Sequence, residues 1–194
     1  MTAALCKLHR HEPIVMSDLQ RVYDRIIRPI EDRMIRSIWR IVRNPQDAED
    51  AMQEALLTVS KRWDRISRHP SPQSLVLKIC IDAAYDLTRR RMRHGRLLEL
   101  TEAANEQCDS SRSPSEEMVS AEQYVEIITA IHRLSRQQAV ATLMRVVQEQ
   151  SYEQIAAVLG CTEATARKHV ARARERLRIR LAHLDPKNGE RGSS

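Results

Sequence analysis

The chain contains no phenylalanine, and aromatic residues make up only 3% of its 194 positions. Glycine occurs four times. A sheet protein of this length needs aromatic and β-branched strands with glycine-bearing turns between them, so this poverty argues against strands. Alanine, leucine, isoleucine, arginine and glutamate are plentiful instead, which favours helices. No apolar run approaches the roughly 18 residues of a membrane span. The opening stretch, MTAALCKLHRHEP, lacks the long apolar centre of a secretory signal. A soluble cytoplasmic protein without a membrane partner is therefore expected. Cys6, Cys80, Cys108 and Cys161 stand far apart and form no CxxC pair, which predicts reduced thiols. Cys6, His9 and His11 lack a fourth ligand at zinc spacing, so neither metal nor cofactor is expected. The glycines, at 95, 160, 189 and 192, cannot build a phosphate-cradling loop, and no GxSxG or HExxH is present. No catalytic residues are expected, and the chain does not read as an enzyme.

What the chain does have is charge, unevenly placed. Its net charge is +6 and its isoelectric point about 9.4, which favours a polyanionic partner. Between Glu99 and Glu126 the balance inverts: eight acidic residues stand against a single basic one, Arg112. The centre of that stretch, NEQCDSSRSPSEE, is polar and rich in serine, and reads as a flexible linker. The predicted organisation is an all-α protein of two small helical domains. An N-terminal extension covers 1–16, a first domain 17–94, the acidic linker 95–119, a second domain 120–184 and a frayed tail 185–194.

Four helical stretches are expected in the first domain. Ser17 can cap a helix running to Arg28, after which Pro29 either kinks it or opens the next. Ile30, Met34, Ile38 and Ile41 give that next helix an apolar stripe. Asn44 is placed to cap a third helix, with Pro45 in its first turn and acids following. Ala48, Met52, Ala55, Val59 and Trp63 line its buried face. The segment RISRHPSPQ reads as a loop, and a fourth helix runs from about Ser74 to Arg93. His132 and His183 read as ordinary helix residues.

The second domain, with four more helices, ends in SYEQIAAVLGCTEATARKHVARARERLRIR. This has the layout of a helix-turn-helix, over about 151–181. Ala156 is small where two helices must approach, Gly160 suits a left-handed turn, and Thr162 is a natural N-cap. Ala166, Val170, Ala173, Leu177 and Leu181 form one apolar face. Around it stand Arg167, Lys168, Arg172, Arg174, Arg176, Arg178 and Arg180. Small Ala164 and Ala171 between the cations would let the backbone approach a groove wall. Such a helix enters the DNA major groove and reads bases with its N-terminal residues.

The same stretch resembles region four of the bacterial extracytoplasmic-function (ECF) sigma factors, of the sigma-70 family. PQDAEDAMQEALLTVSKRW is similar to their region two, where an Asp-x-x-Asp-x-x-Gln-Glu run is typical, and LKICIDAAYDLTRRRMR to the following helix. The resemblance implies a protein that binds core RNA polymerase and promoter DNA and directs transcription initiation. It implies docking on the β′ coiled coil through Asp47, Asp50, Gln53 and Glu54, and a second contact with the β flap. It implies minus-ten contacts from Arg68, His69, Asp82, Arg89, Arg90 and Arg93, where Asp82 replaces the family's usual Asn. Minus-thirty-five contacts would come from Thr162, Glu163, Thr165, Arg167, Lys168, His169, Arg172 and Arg174. An anti-sigma factor is a typical further partner. The alternative is a helix-turn-helix regulator that binds DNA without core polymerase.

Overall fold

The computed structural model describes residues 23–93 and 120–184. The N-terminal extension, the Ser17 cap, the linker 95–119, Cys6, Cys108 and the tail from 185 lie outside the described residues. Within them the protein is helical, with no strand. The helix expected to end at Arg28 gives way to a 3-10 turn, Arg28–Ile30, so Pro29 interrupts rather than continues it. Then follow α1 (Glu31–Val42), α2 (Pro45–Lys61), a short α3 (Trp63–Ser67) and α4 (Pro72–Arg93). The second group comprises α5 (Ala121–His132), α6 (Arg136–Val146), α7 (Tyr152–Leu159) and α8 (Glu163–Arg180).

Local chemistry explains most of the starts. Asn44 Oδ1 accepts from the Asp47 amide at 3.0 Å, capping α2 with Pro45 in its first turn. Ser120 with Gln123, and Ser151 with Gln154, form reciprocal capping boxes on α5 and α7. Ser135 caps α6 and Thr162 caps α8. The sequence reading needs correction at the segment RISRHPSPQ. Arg65, Ile66 and Ser67 complete α3, because Ile66 has a fully buried site to fill, and α4 begins at Pro72 rather than Ser74.

The two groups do not stand apart. One apolar core runs from Ile30, Met34 and Ile38 of the first group to Met144, Ile155 and Val170 of the second, through the fully buried Val76, Leu77 and Ile81 of α4. Polar contacts cross the same boundary. The Tyr124 hydroxyl donates to the Ile41 carbonyl at 2.6 Å, closing the C-terminus of α1. The loop after α6 is inserted against α1 and α4: Gln148 Nε2 donates to the Leu77 carbonyl (2.7 Å) while Arg33 donates to the Gln148 carbonyl (3.0 Å). Gln148 and Gln150 are both buried, and Gln150 Nε2 donates to Gln148 Oε1 at 2.7 Å, so the loop is a polar wedge in which Gln150 Oε1 is left without a partner.

Candidate nucleic-acid interface

The turn between α7 and α8 is built as its residues dictate. Gly160 adopts φ 66°, a left-handed conformation that costs glycine little, and lets the Cys161 amide donate back to the Ala156 carbonyl at 3.1 Å. Ala156 is buried at this crossing. Thr162 Oγ1 accepts from the Thr165 amide at 3.2 Å, and the two hydroxyls share a bond of 2.9 Å. The stripe Ala166, Val170, Ala173 is buried, with Leu177 and Leu181 half-buried. The opposite face is exposed and holds Ala164, Arg167, Lys168, Ala171, Arg172 and Arg174, with His169 half-buried at its edge. Glu163 is also exposed, but its carboxylate is engaged with Arg167. This gives a row of cations on a helix whose backbone two alanines leave accessible, open to a polyanion.

Further along, the arginines differ. Arg178 pairs with Glu175 at 2.8 Å on the surface, and the two hydrogen-bonded charges lower the Glu175 carboxyl and raise the guanidinium. Arg176 instead donates to Gln138 Oε1 at 3.0 Å, tying α8 to the first turn of α6.

The second cluster lies on α3 and α4. Arg68 is exposed at the end of α3; His69 is half-buried, its Nδ1 accepting from the Ser71 amide at 3.0 Å. Arg89, Arg90 and Arg93 are exposed at the end of α4. Asp82 is not open: it pairs with Lys78 one turn earlier and with Arg136 of the second group at 3.1 Å. Arg136 also holds Asp86 at 2.6 Å and lies over the Tyr85 ring at 5.6 Å. Hydrogen bonding to Asp86 pushes the Arg136 guanidinium further up, against the effect of burial. His132, read from sequence as an ordinary helix residue, is an interface residue. It packs against the Tyr85 ring, tilted by 45° with centroids 4.3 Å apart, and shares a 3.0 Å bond with Thr88 Oγ1.

The third cluster is on α2. Asp50, Gln53 and Glu54 are exposed, and they face different surroundings. Gln53 borders an apolar groove between α1 and α2, lined by Ile35, Ile38, Ala48, Met52 and Leu56; Ile35 remains 53% exposed there. Glu54 borders a polar cleft shared with Arg62, Asp82, Asp86, Arg90 and Arg136. Asp47 departs from expectation. Its side chain is 4% exposed and accepts from Arg91 Nη2 at 2.5 Å, so it joins α2 to α4 and is not exposed. Arg91 is spent on the same bond.

Buried Cys80 has its thiol pushed up to about 12 by desolvation, which keeps it protonated and unreactive. No cluster of metal-ligating side chains occurs among the described residues. No described helix is long and apolar enough to cross a membrane.

The chain matches the family Sigma-70 region 2 over residues 26–94 and the family Sigma-70, region 4 over residues 124–177. It is 28% identical over 166 residues to the RNA polymerase sigma-E factor of Streptomyces avermitilis, covering 84% of this chain and 87% of that one. The ECF RNA polymerase sigma factor SigE of Mycolicibacterium smegmatis is 28% identical, over 82% of this chain and 62% of its own length. Among solved structures, a chain from the co-crystal of the sigma factor RpoE with the anti-sigma factor NepR from Bartonella quintana aligns at a TM-score of 0.49. It is 21% identical, with 86% of this chain and 98% of that chain covered.

Proposed function

The chain belongs to the sigma-70 family, and from that premise we propose that it is an ECF-type sigma factor, which binds core RNA polymerase and directs it to promoters. The observation that carries this reading is the pairing of regions two and four in one chain, since a plain helix-turn-helix regulator needs only the second. It is a transcription initiation factor rather than an enzyme, and it works in the cytoplasm with the polymerase.

Roles follow from exposure and chemistry. The apolar groove beside α2, with Gln53 at its rim and exposed Asp50 on the same helix, is suited to receive a helix of the polymerase β′ coiled coil. Glu54, on the neighbouring edge, supports the same contact, while Asp47 supports it only by bracing α2. Region four meets the β flap. The exposed face of α8 enters the major groove of the minus-thirty-five element: Thr162, Thr165, Arg167, Lys168 and His169 near the bases, Arg172 and Arg174 toward phosphates. Arg68 and His69 face the melted minus-ten strand, with Arg89, Arg90 and Arg93 on its backbone. Asp82 comes to that strand only when Arg136 releases it. The acidic segment from Glu99 has the charge of a nucleic-acid mimic that a nascent transcript would displace. An anti-sigma factor would regulate the protein by covering these faces.

The test is copurification of the full chain with core RNA polymerase, followed by run-off transcription over a library of promoters. A stable complex and initiation from a defined subset of promoters are expected. DNA binding without any affinity for core enzyme would replace this reading with that of a simple regulator.

A further inference from the structure

Two side chains hold Arg167 in one orientation. Its Nε and Nη2 both donate to Glu163 Oε1, one turn back on α8, at 3.1 and 2.5 Å. Its guanidinium carbon lies 4.5 Å from the centre of the Tyr152 ring. Tyr152, the first residue of α7, is itself braced by Arg145 of α6, 5.2 Å from the same ring. Arg145 is fixed in turn by donating to the Gln150 carbonyl at 2.9 Å. A chain of contacts thus runs from the half-buried α6, through an aromatic ring, to a guanidinium on the exposed face of α8.

At 60% and 47% side-chain exposure, Arg167 and Glu163 gain little stability from their ion pair. What the pair and the ring do is select a rotamer. The edge they occupy is informative. Glu163 takes the side edge, Nε with Nη2. The end edge of the guanidinium, Nη1 with the outer N–H of Nη2, is the one that contact does not use. Two parallel donors on that edge match two adjacent acceptors. In the major groove guanine offers such a pair, O6 and N7, whereas adenine offers an acceptor beside a donor and the pyrimidines a single hydrogen-bonding group.

Building on the reading of α8 as the base-reading helix, we propose that Glu163 and Tyr152 are positioning residues that preset Arg167 to read a guanine in the minus-thirty-five element. Glu163 then serves the interface by orienting its neighbour rather than by touching DNA. Tyr152, outside the recognition helix, belongs to the specificity apparatus.

The experiment uses holoenzyme assembled from the full chain and core polymerase, titrated with promoter duplexes carrying each base at every minus-thirty-five position. Arg167→Ala should erase a preference of about tenfold for guanine at one position. Glu163→Gln and Tyr152→Leu should each reduce that same preference about threefold while leaving other positions as in the wild type, and Tyr152→Phe should keep it. Glu163→Gln is a surface change that preserves the fold, so the test stands even where Tyr152→Leu fails to fold. If Arg167→Ala erases the preference but Glu163→Gln and Tyr152→Phe or Leu all leave it whole, the positioning inference is wrong and the base-reading helix stands. A base other than guanine lost with Arg167 overturns the edge argument. If Arg167→Ala changes no preference at all, the reading of α8 fails at this residue and the inference falls with it.

Discussion

Arg136, from the second helical group, grips Asp86 of α4 with two bonds, Nη1 to Oδ1 at 2.6 Å and Nη2 to Oδ2 at 2.9 Å, and reaches Asp82 with the same Nη2. This fork joins the two helical groups. Promoter elements named for minus ten and minus thirty-five lie about 25 base pairs apart, roughly 85 Å at about 34 Å per helical turn. A compact body of this size is about 40 Å across. If each group binds its own element as proposed, the closed arrangement cannot engage both at once, and the Arg136 contact has to open. Arg136→Glu should expand the free chain, seen as a larger radius of gyration in small-angle scattering. A double-mutant cycle of Arg136→Ala with Asp86→Ala should give a coupling of about 0.5–1 kcal/mol, since both side chains remain partly in solvent. Zero coupling with unchanged dimensions would mean the apolar core alone holds the halves together.

His132 makes the same interface sensitive to acid. Burial pushes its imidazole down to about 4, from an ordinary 6.5; Arg89 works in the same direction and Asp86 against it. Arg136, over the adjoining Tyr85 ring, adds a second cation to the surroundings. The unfolded chain takes up a proton near 6.5 while the folded one resists until about 4. Between those values the unfolded state binds more protons, so stability is complete above the upper value and falls as pH drops toward the lower. Thermal melts from pH 7.5 to 4.5 should show this fall. His132→Phe should flatten it relative to the wild type, and an unaltered slope would place the titration elsewhere.

Asp47 and its near neighbours on α2 should separate cleanly. Asp47→Ala leaves Arg91 without its partner and removes a carboxylate buried to 4%, a change that costs about 3 kcal/mol. Thermal stability should drop while the folded fraction still binds core polymerase. Gln53→Ala with Glu54→Ala, both exposed, should leave the melting curve alone and weaken binding to core enzyme. An unchanged affinity for the double variant would remove the pair from the docking surface.

These contrasts indicate what the sequence makes readable. Caps and turns depend on residues three or four apart, so Asn44, Gly160 and Thr162 announce their roles locally. The stripe of α8 is visible for the same reason, because helical periodicity is a short-range signal. The Asp47–Arg91 and Arg136–Asp86 pairs span 44 and 50 residues, and nothing in either local pattern points to the partner. The wedge at Gln148 and Gln150 is less legible still. Two buried glutamines between helices have the composition of a surface loop, and only the carbonyls they meet explain their burial. Asp47 illustrates the limit most clearly. The resemblance assigned it to a docking surface, and the fold turns it inward against Arg91.

Arg176 and Arg178 lie two residues apart on α8 and look alike in sequence, yet their substitutions should behave differently. Arg178 is exposed, at 74% of its side chain, and is bonded within its own helix to Glu175. Replacing it by alanine removes charge from the exposed C-terminal end of α8 and, from the fold, a surface ion pair worth little. Holoenzyme affinity should fall alike for all promoter sequences, and the slope of log affinity against log salt should flatten by about 0.9 if one phosphate contact is lost. Arg176 shares that electrostatic role but also ties α8 to Gln138 of α6, whose side chain is buried. Arg176→Ala leaves the Gln138 carbonyl oxygen without this donor, at about 1 kcal/mol, or about 3 °C in melting temperature for a protein of this length. Arg176→Lys should restore the salt dependence but not the melting temperature, because the lysine side chain is one bond shorter and its ammonium does not reach Gln138 Oε1 as Nη1 does. If Arg176→Ala and Arg178→Ala gave the same melting temperature, the Gln138 bond would carry no weight in holding region four together.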